Sequence, residues 1–244
     1  MAKTSKTAGG ETPREAVIAA FMALLADKPL KDIGLADIAE KAGLSLAALR
    51  QAFGSKFEIL AAFVKDIDTA VLDGIDQDLK DQPVKEKLFD ILMRRLDLLA
   101  PHKAAIATLS RAAQRDGALA VGLNRLAIRS HQWMLAAAGV ETGGPGGALR
   151  AQGMAVVFAR VVRVWLNDDD PALARTMKAL DEGLARAGRA AQTLDTVERL
   201  TAPFRSLFCA PRSFCASRRS DERREPRPGS WRGDDFRDPH VTPV

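Results

Sequence analysis

Few residues of this chain have the types and spacing that catalysis or metal binding requires. Its three histidines, His102, His131 and His240, have neither a cysteine pair nor a dense carboxylate cluster beside them at metal-ligand spacing. The run 168–170 of three aspartates precedes Pro171 at a predicted helix start. Negative charge is stabilised there by the helix dipole, so capping explains the run better than a bound cation. The sequence contains no G-x-S-x-G and no Walker motif. We therefore expect a protein that is not an enzyme and needs no cofactor or metal.

Polar residues in one short segment are suited to contacting DNA. Gln51 can pair with adenine through two hydrogen bonds, and the neighbouring Arg50 can contact a backbone phosphate. Lys31, Lys56 and Arg14 are further cations that could contact phosphates. These contacts require that the element carrying Arg50 and Gln51 stands at the protein surface.

The sequence around this segment predicts a helix-turn-helix. Apolar spacing predicts one helix over about 35–42 with Leu35 on its buried face, and Gly43 is placed to end it in a left-handed turn. Ser45 is the N-cap of a second short helix that reaches about Phe53. Two short helices joined by a tight turn form a unit whose second helix enters a DNA major groove.

The remaining periodicity is helical throughout. Thr12, Pro13 and Glu15 form a helix start with a capping box, and a long helix is expected from Ser55 to about Leu79. Further helices are predicted over about 83–99, 101–115, 117–138, 149–166 and 171–190, with a loop at 139–147. No strand alternation persists for five residues, so the expected fold class is all-α.

Charge is unevenly distributed along the chain. The net charge is +5, but residues 199–244 contain ten arginines and six acidic residues and so contribute +4 of it. Residues 13–66 contain seven basic and seven acidic residues, which is unusual for a domain that reads DNA. The basic composition is therefore weak support for nucleic-acid binding by the folded part.

Composition also bears on location. No apolar segment is long enough to span a membrane, and the first residues lack a secretory pattern. Both cysteines, Cys209 and Cys215, lie near the end, so we expect a cytoplasmic protein without a disulfide in its core. The aromatic and basic residues of 204–214 would suit weak contact with a membrane surface. The alternative is a frayed helix end that leads into a tail without function.

The stretch 35–60, LADIAEKAGLSLAALRQAFGSKFEIL, resembles the DNA-binding domain of the TetR family of bacterial regulators. The residues in register with the family pattern are Gly43, Ser45, Leu49, Phe53, Ser55 and Lys56. The resemblance implies DNA contacts by Lys31, Ser45, Leu46, Ala47, Arg50, Gln51 and Lys56. The family usually has a lysine or small polar residue in place of Leu46, and a phosphate-contacting tyrosine in place of Arg50. Arg50 can replace that tyrosine, whereas Leu46 offers DNA no hydrogen bond.

Two blocks of the second half are similar to the accessory proteins of coenzyme Q biosynthesis: MRRLDLLAPHKAAI at 93–106 and RVWLNDDDPALARTMKALDEGLARA at 163–187. Those proteins have a TetR-like fold and resemble lipid-binding proteins rather than repressors. This resemblance implies an alternative function, the binding of a lipid or isoprenoid quinone by a protein whose helix-turn-helix is vestigial. Leu46 and the neutral DNA-binding domain favour that alternative, whereas Arg50, Gln51 and Lys56 favour a regulator.

Apolar and aromatic residues at helical spacing predict a bundle whose interior could hold an apolar ligand such as a lipid, quinone or isoprenoid. The expected lining residues are Phe89, Met93, Leu96, Ile106, Leu109, Leu126, Trp133, Met134, Phe158 and Trp165. Few polar groups accompany them, so a charged metabolite is not expected. The same residues could instead form a plain core.

The last two predicted helices offer faces for a two-fold homodimer. The expected interface residues are Gln152, Ala155, Val156, Ala159, Val162, Arg163, Leu173, Met177, Leu180 and Leu184. Packing of these helices within one subunit is the alternative. A dimer would hold two recognition helices about 34–36 Å apart, which matches successive major grooves.

These features predict an all-α, TetR-like fold in five segments. Residues 1–11 form a flexible arm, 12–56 the helix-turn-helix domain, 57–190 the ligand-binding and dimerisation domain, 191–215 a helix end and junction, and 216–244 a disordered tail. The expected function is that of a repressor released by an apolar small ligand. That ligand would bind in the bundle of 84–166 and shift the long helix that begins at Ser55, moving the helix-turn-helix units out of groove register.

Overall fold

Thr12 begins the first helix as the sequence predicts. Its Oγ1 accepts a hydrogen bond from the Glu15 backbone N–H at 3.3 Å, and the Glu15 carboxylate accepts from the Thr12 N–H at 2.8 Å. In the computed structural model this helix, α1, spans Pro13–Asp27. The structure describes residues 12–76 and 80–208, of which 193–208 are described as backbone only. The predicted arm (1–11) and tail (216–244), with most of the segment 204–214, lie outside the described residues.

Within these residues the chain is helical and contains no strand, so the fold is all-α as expected. The helices that follow α1 are α2 (Leu35–Lys41), α3 (Leu46–Ala52), α4 (Lys56–Asp73), α5 (Val84–Leu99), α6 (Lys103–Ala113), α7 (Gly117–Ala137), α8 (Gly144–Trp165) and α9 (Ala174–Phe208). Short 3-10 turns at Leu30–Asp32 and Ala100–His102 precede α2 and α6. The chain divides into two units, Met1–Leu200 and Thr201–Val244, and the second is described only as the end of α9.

Two predicted boundaries near glycines are wrong. The long helix that begins after Ser55 ends at Asp73 rather than near Leu79, because Gly74 caps it by donating its N–H to the Val71 carbonyl. The predicted loop 139–147 is shorter than expected, since α8 already begins at Gly144. Proline is favourable in a first helical turn, so the Pro145 that indicated a loop instead helps to begin this helix.

The aspartates before α9 cap its start, although the helix begins three residues later than Pro171. Asp170 accepts hydrogen bonds from the backbone N–H groups of Ala172 and Ala174. Asp168 is buried and accepts from both the N–H (2.9 Å) and the hydroxyl (2.7 Å) of Thr176, which lowers the pKa of its carboxyl group. These carboxylates therefore hold the turn between α8 and α9, and in the described part of the chain no metal-binding cluster forms.

One hydrophobic core runs from the helix-turn-helix into the bundle. Phe21 of α1, Ile59 of α4, Leu92 of α5 and Trp165 of α8 all belong to it and are at most 2% exposed. Full burial of a large apolar side chain contributes about 1.5–3 kcal/mol. Leu35 was expected on the buried face of α2 but is 45% exposed, because it is the first residue of the helix and Ile38 fills the inward position.

A buried polar cluster fastens α4 to three other helices. The Arg95 guanidinium on α5 donates to the Asp68 carboxylate on α4 and to the Ser130 hydroxyl on α7, and Ser130 donates to Asp68 at 2.8 Å. The guanidinium carbon also lies 5.3 Å from the ring centre of Phe158 on α8. Burial lowers the pKa of Arg95, and the adjacent Asp68 opposes that shift.

His131 lies beside this cluster and is itself buried. Its Nδ1 is 2.7 Å from the Ala127 carbonyl oxygen, and its ring centre is 5.1 Å from that of Phe158. Burial and the positive charge of Arg95 lower the pKa of His131 to about 3. The imidazole is therefore neutral in the folded protein over the whole physiological range.

We expect Asp68→Ala to destabilise the protein by about 3–5 kcal/mol, because it leaves the Arg95 charge buried without a partner. Urea unfolding followed by circular dichroism measures this loss. Asp66→Ala on the same helix is the matched control. It breaks a half-exposed ion pair with Arg14 and should lower the free energy of unfolding by no more than about 1 kcal/mol. Equal losses in the two variants would contradict this account of the cluster.

The depressed pKa of His131 predicts a loss of stability in acid. Unfolded histidine takes up a proton near pH 6.5, whereas the folded side chain stays neutral down to about pH 3. The free energy of unfolding should therefore fall by about 1.4 kcal/mol per pH unit as the pH decreases between these values. Urea unfolding at pH 7 and pH 5 measures how the free energy of unfolding changes with pH, and this change should be smaller in His131→Leu than in the wild type. His102→Gln retains His131 and should keep most of the wild-type change. An equal reduction in both variants would refute the assignment.

Candidate nucleic-acid interface

The turn between α2 and α3 depends on a left-handed glycine. Gly43 has φ +67°, and a Cβ built there would meet nothing within 4 Å, so the constraint is backbone conformation alone. The Leu44 N–H then donates to the Ala39 carbonyl at 2.9 Å and closes the turn. This geometry brings α3 across α2 in the arrangement that the sequence predicted.

Helix α3 presents its polar residues to solvent. The Ser45 hydroxyl caps it by accepting from the Ala48 N–H at 3.2 Å, and Leu49 is 3% exposed on the inner face. The residues of the outer face recur at a spacing of four and are all exposed: Leu46, Ala47, Arg50 and Gln51. Leu46 is 55% exposed, which places an apolar side chain among them.

Lys56 does not face outward with these residues. Its ammonium donates to the carbonyl oxygens of Ile33 at 2.8 Å and Leu30 at 3.3 Å, and the residue is half-buried. It fastens the start of α4 to the loop before α2, so its predicted role as a phosphate contact is not supported by its position. Lys31, on the 3-10 turn, is exposed.

Other cations of this region are also engaged within the protein. Arg14 makes two parallel hydrogen bonds of 2.8 Å to Asp66, which raise the pKa of the guanidinium and join α1 to α4. Lys28 lies 2.6 Å from Asp37, whose pKa it lowers. Arg14 therefore joins two helices through a half-exposed ion pair, and its expected phosphate contact stays a prediction. Lys31 and Arg50 remain without a carboxylate partner in the part of the chain that the structure describes.

An open cleft of about 870 Å³ lies behind the helix-turn-helix, where the end of α1 and the start of α4 meet the junction of α6 and α7. Phe21, Phe57, Leu60 and Leu119 supply apolar lining. The Phe57 ring packs against α7 at Gly122, where a Cβ would be only 2.9 Å from Cε2 of the ring. A residue larger than glycine would push this wall of the cleft away.

The residues predicted to line a ligand pocket lie elsewhere. Leu96, Leu109, Met134, Phe158 and Trp165 are buried in the core, and Phe89, Met93, Ile106 and Leu126 pack against it; none of them lines the cleft. Trp133 was expected to face inward but is 60% exposed, because the adjacent Met134 occupies the inward position of α7. The ligand-lining role of the other nine stays a prediction.

Sequence reasoning missed the buried polar cluster of Asp68, Arg95, Ser130 and His131. Asp68, Arg95 and Ser130 bond to one another, so the expectation that few polar groups are available to orient a charged ligand stays a prediction. One pattern could have revealed the cluster: Arg95 falls four residues after Ile91 and four before Leu99, on a face of α5 that is otherwise apolar. A charge at such a position needs a buried partner.

The predicted dimer residues are divided between the surface and the interior. Val156, Ala159 and Arg163 are exposed, whereas Gln152, Val162, Leu173 and Met177 are half-buried. The Gln152 amide hydrogen-bonds to Asn124 of the same chain at 3.0 Å.

Three of the predicted dimer residues are instead buried within the subunit: Ala155, Leu180 and Leu184. The reason is close packing of α8 on α9, where a Cβ at Gly183 would lie 2.7 Å from Cγ1 of Val157. An interface on α8 is therefore limited to its outer face.

Compared by sequence, the chain matches no protein-family model and none of the curated proteins. Its structure is similar to that of a TetR transcriptional regulator from Nitrosomonas europaea, with 20% identity, a TM-score of 0.58 and coverage of 72% of this chain and 97% of that one. It is also similar to a TetR transcriptional regulator from a Rhodococcus species, with 20% identity, a TM-score of 0.52 and coverage of 72% and 95%. The chain therefore has a TetR-like fold.

Proposed function

We propose that this protein is a DNA-binding transcriptional regulator that acts as a repressor. The observation that carries the proposal is the exposed face of α3, which is capped by Ser45 and presents Arg50 and Gln51 on a helix-turn-helix of TetR-like fold. Arg50 supplies a phosphate contact and Gln51 a bidentate donor and acceptor for adenine in the major groove.

Regulation is proposed to pass through α4. The Lys56 hydrogen bonds join its first residue to the loop before α2, and the Arg14–Asp66 pair joins its second half to α1. The Asp68 cluster joins that second half to the bundle. A ligand that binds one position of α4 more tightly than another shifts the equilibrium between them, by no more than its differential affinity. A ligand within the 84–166 bundle would have to open the core, since Leu96, Met134 and Trp165 are at most 2% exposed.

Binding as a homodimer through the outer face of α8 would complete the proposal. Val156 is 41% exposed there, and Ala159 and Arg163 lie on the same face. Small and apolar residues on an exposed helix suit close packing against a two-fold partner.

The exposed Leu46 favours a second candidate, a TetR-fold protein that binds an isoprenoid quinone or another lipid. Trp133, 60% exposed on α7, is a second large apolar side chain at the surface. Organic extraction of the purified protein distinguishes the two: a co-purified isoprenoid together with no DNA binding at low salt would replace the regulator.

We expect Arg50→Ala to weaken binding to the promoter DNA upstream of the protein's own gene about tenfold and to reduce the salt slope by about 0.9, one phosphate contact. Gln51→Ala should instead lose about 1–3 kcal/mol of discrimination between adenine and the other bases, without changing the salt slope. Fluorescence anisotropy at several salt concentrations measures both effects. Lys178→Ala removes an exposed charge from α9 and should change neither. Wild-type protein that fails to bind even at low salt would refute the regulator.

We expect Val156→Asp to shift the protein from dimer to monomer, because it places charge at the centre of the proposed interface. Analytical ultracentrifugation measures the mass. Val84→Asp is the matched control, since Val84 is 43% exposed but lies at the start of α5, and it should leave the dimer intact. A dimer that survives Val156→Asp would place the interface elsewhere.

A further inference from the structure

The cleft behind the helix-turn-helix combines an apolar floor with a cationic rim. Phe57 and Leu119 form the accessible apolar floor: Phe57 is 39% exposed and Leu119 is half-buried. The volume of about 870 Å³ falls within the range of about 300–1,000 Å³ that is common for small-molecule sites. These accessible apolar side chains offer a surface that an apolar group would cover.

The charge of the rim is positive. Five basic and three acidic side chains line the cleft, a net charge of +2, of which Lys28 is neutralised by its ion pair with Asp37 outside the lining. Arg111, Arg115 and Lys56 form no ion pair with any carboxylate among the residues that the structure describes. Of the acidic residues, Asp116 already accepts a hydrogen bond from the Leu119 N–H at 3.0 Å as the cap of α7.

The position of one arginine is fixed. Nη2 of Arg111 donates to the Thr108 hydroxyl at 2.8 Å, and Thr108 is buried one turn before it on α6. This bond holds the guanidinium at the edge of the apolar floor and leaves its other N–H groups available. A planar fork of donors beside an apolar surface matches a carboxylate attached to an apolar group.

We propose that this cleft binds a small amphipathic carboxylate, an aromatic or medium-chain carboxylic acid. Its carboxylate pairs with Arg111 and Arg115, and its apolar part covers Phe57 and Leu119. Both arginines are exposed at the rim, so their attraction for the carboxylate adds to the apolar contact rather than replacing it. The site differs in place and in ligand chemistry from the apolar pocket expected within the bundle.

The ligand would contact both parts of the proposed regulator. Lys28 and Lys31 of the lining precede α2, whereas Arg111 and Leu119 belong to the bundle. An occupant that favours one arrangement of these elements would alter DNA affinity. This regulatory consequence rests on the proposed function, but binding of the carboxylate does not.

Isothermal titration of the full-length chain with 2-naphthoate and with decanoate, in the absence of DNA, tests the site. We expect saturable binding of one molecule per chain. Arg111→Glu should weaken binding at least about tenfold. Arg115→Glu should weaken it equally, and because this residue is exposed and lies outside the helices, its substitution should leave the fold intact. Arg129→Glu makes the same charge change on an exposed position of α7 away from the cleft and should have no effect. The neutral 2-naphthamide should bind more weakly than 2-naphthoate.

Absence of binding by both carboxylates would overturn the proposal, and so would equal affinity in wild type and in both cleft variants. A preference for the amide would also overturn it. Repeating the titration with promoter DNA present separates the two hypotheses. Failure of the wild type to bind DNA removes the proposed regulator, whereas the carboxylate site is judged by the DNA-free titration alone.

Discussion

The position of α4 depends on the ion pair between Asp68 and Arg95. Removing two charges from water is expensive, and their attraction offsets this cost only when the remaining hydrogen-bonding groups are also satisfied. Ser130 provides part of that satisfaction, since it donates to Asp68 and accepts from Arg95. Such a pair specifies one arrangement better than apolar contacts do, because any shift that separates the partners leaves a charge unpaired in the interior.

Three cations near the helix-turn-helix bond to groups of the protein itself and stabilise its fold. Arg14 and Lys28 are paired with carboxylates, and Lys56 is bonded to two carbonyl groups. This use of charge explains how a segment with seven basic and seven acidic residues can still expose Arg50 on α3. In the proposed DNA complex, affinity would depend on few phosphate contacts and more heavily on the geometry of α3.

Local chemistry made part of the structure predictable from the sequence. The cap at Thr12, the left-handed turn at Gly43 and the cap at Ser45 each depend on residues within a few positions, and all were predicted. The same is true of the helical class, because apolar periodicity reports burial directly.

What the sequence did not reveal depends on distant partners. Asp66 lies 52 residues from Arg14, and Ile33 lies 23 from Lys56. Periodicity cannot name such a partner, so it did not show that Arg14 and Lys56 also bond within the protein. The cleft was missed for the same reason, since its lining comes from helices that meet only in the tertiary fold.

The contacts that attach α4 to its neighbours lie far apart along the helix axis, so a small rotation about one of them displaces the other. Lys56 is its first residue and Asp68 lies in its second half, about 18 Å further along the axis at 1.5 Å per residue. With Asp68 as the pivot, a rotation of about 10° would displace the far end by about 3 Å, the length of one hydrogen bond. A rotation of this size would therefore separate the Lys56 ammonium from the carbonyl oxygens of Ile33 and Leu30.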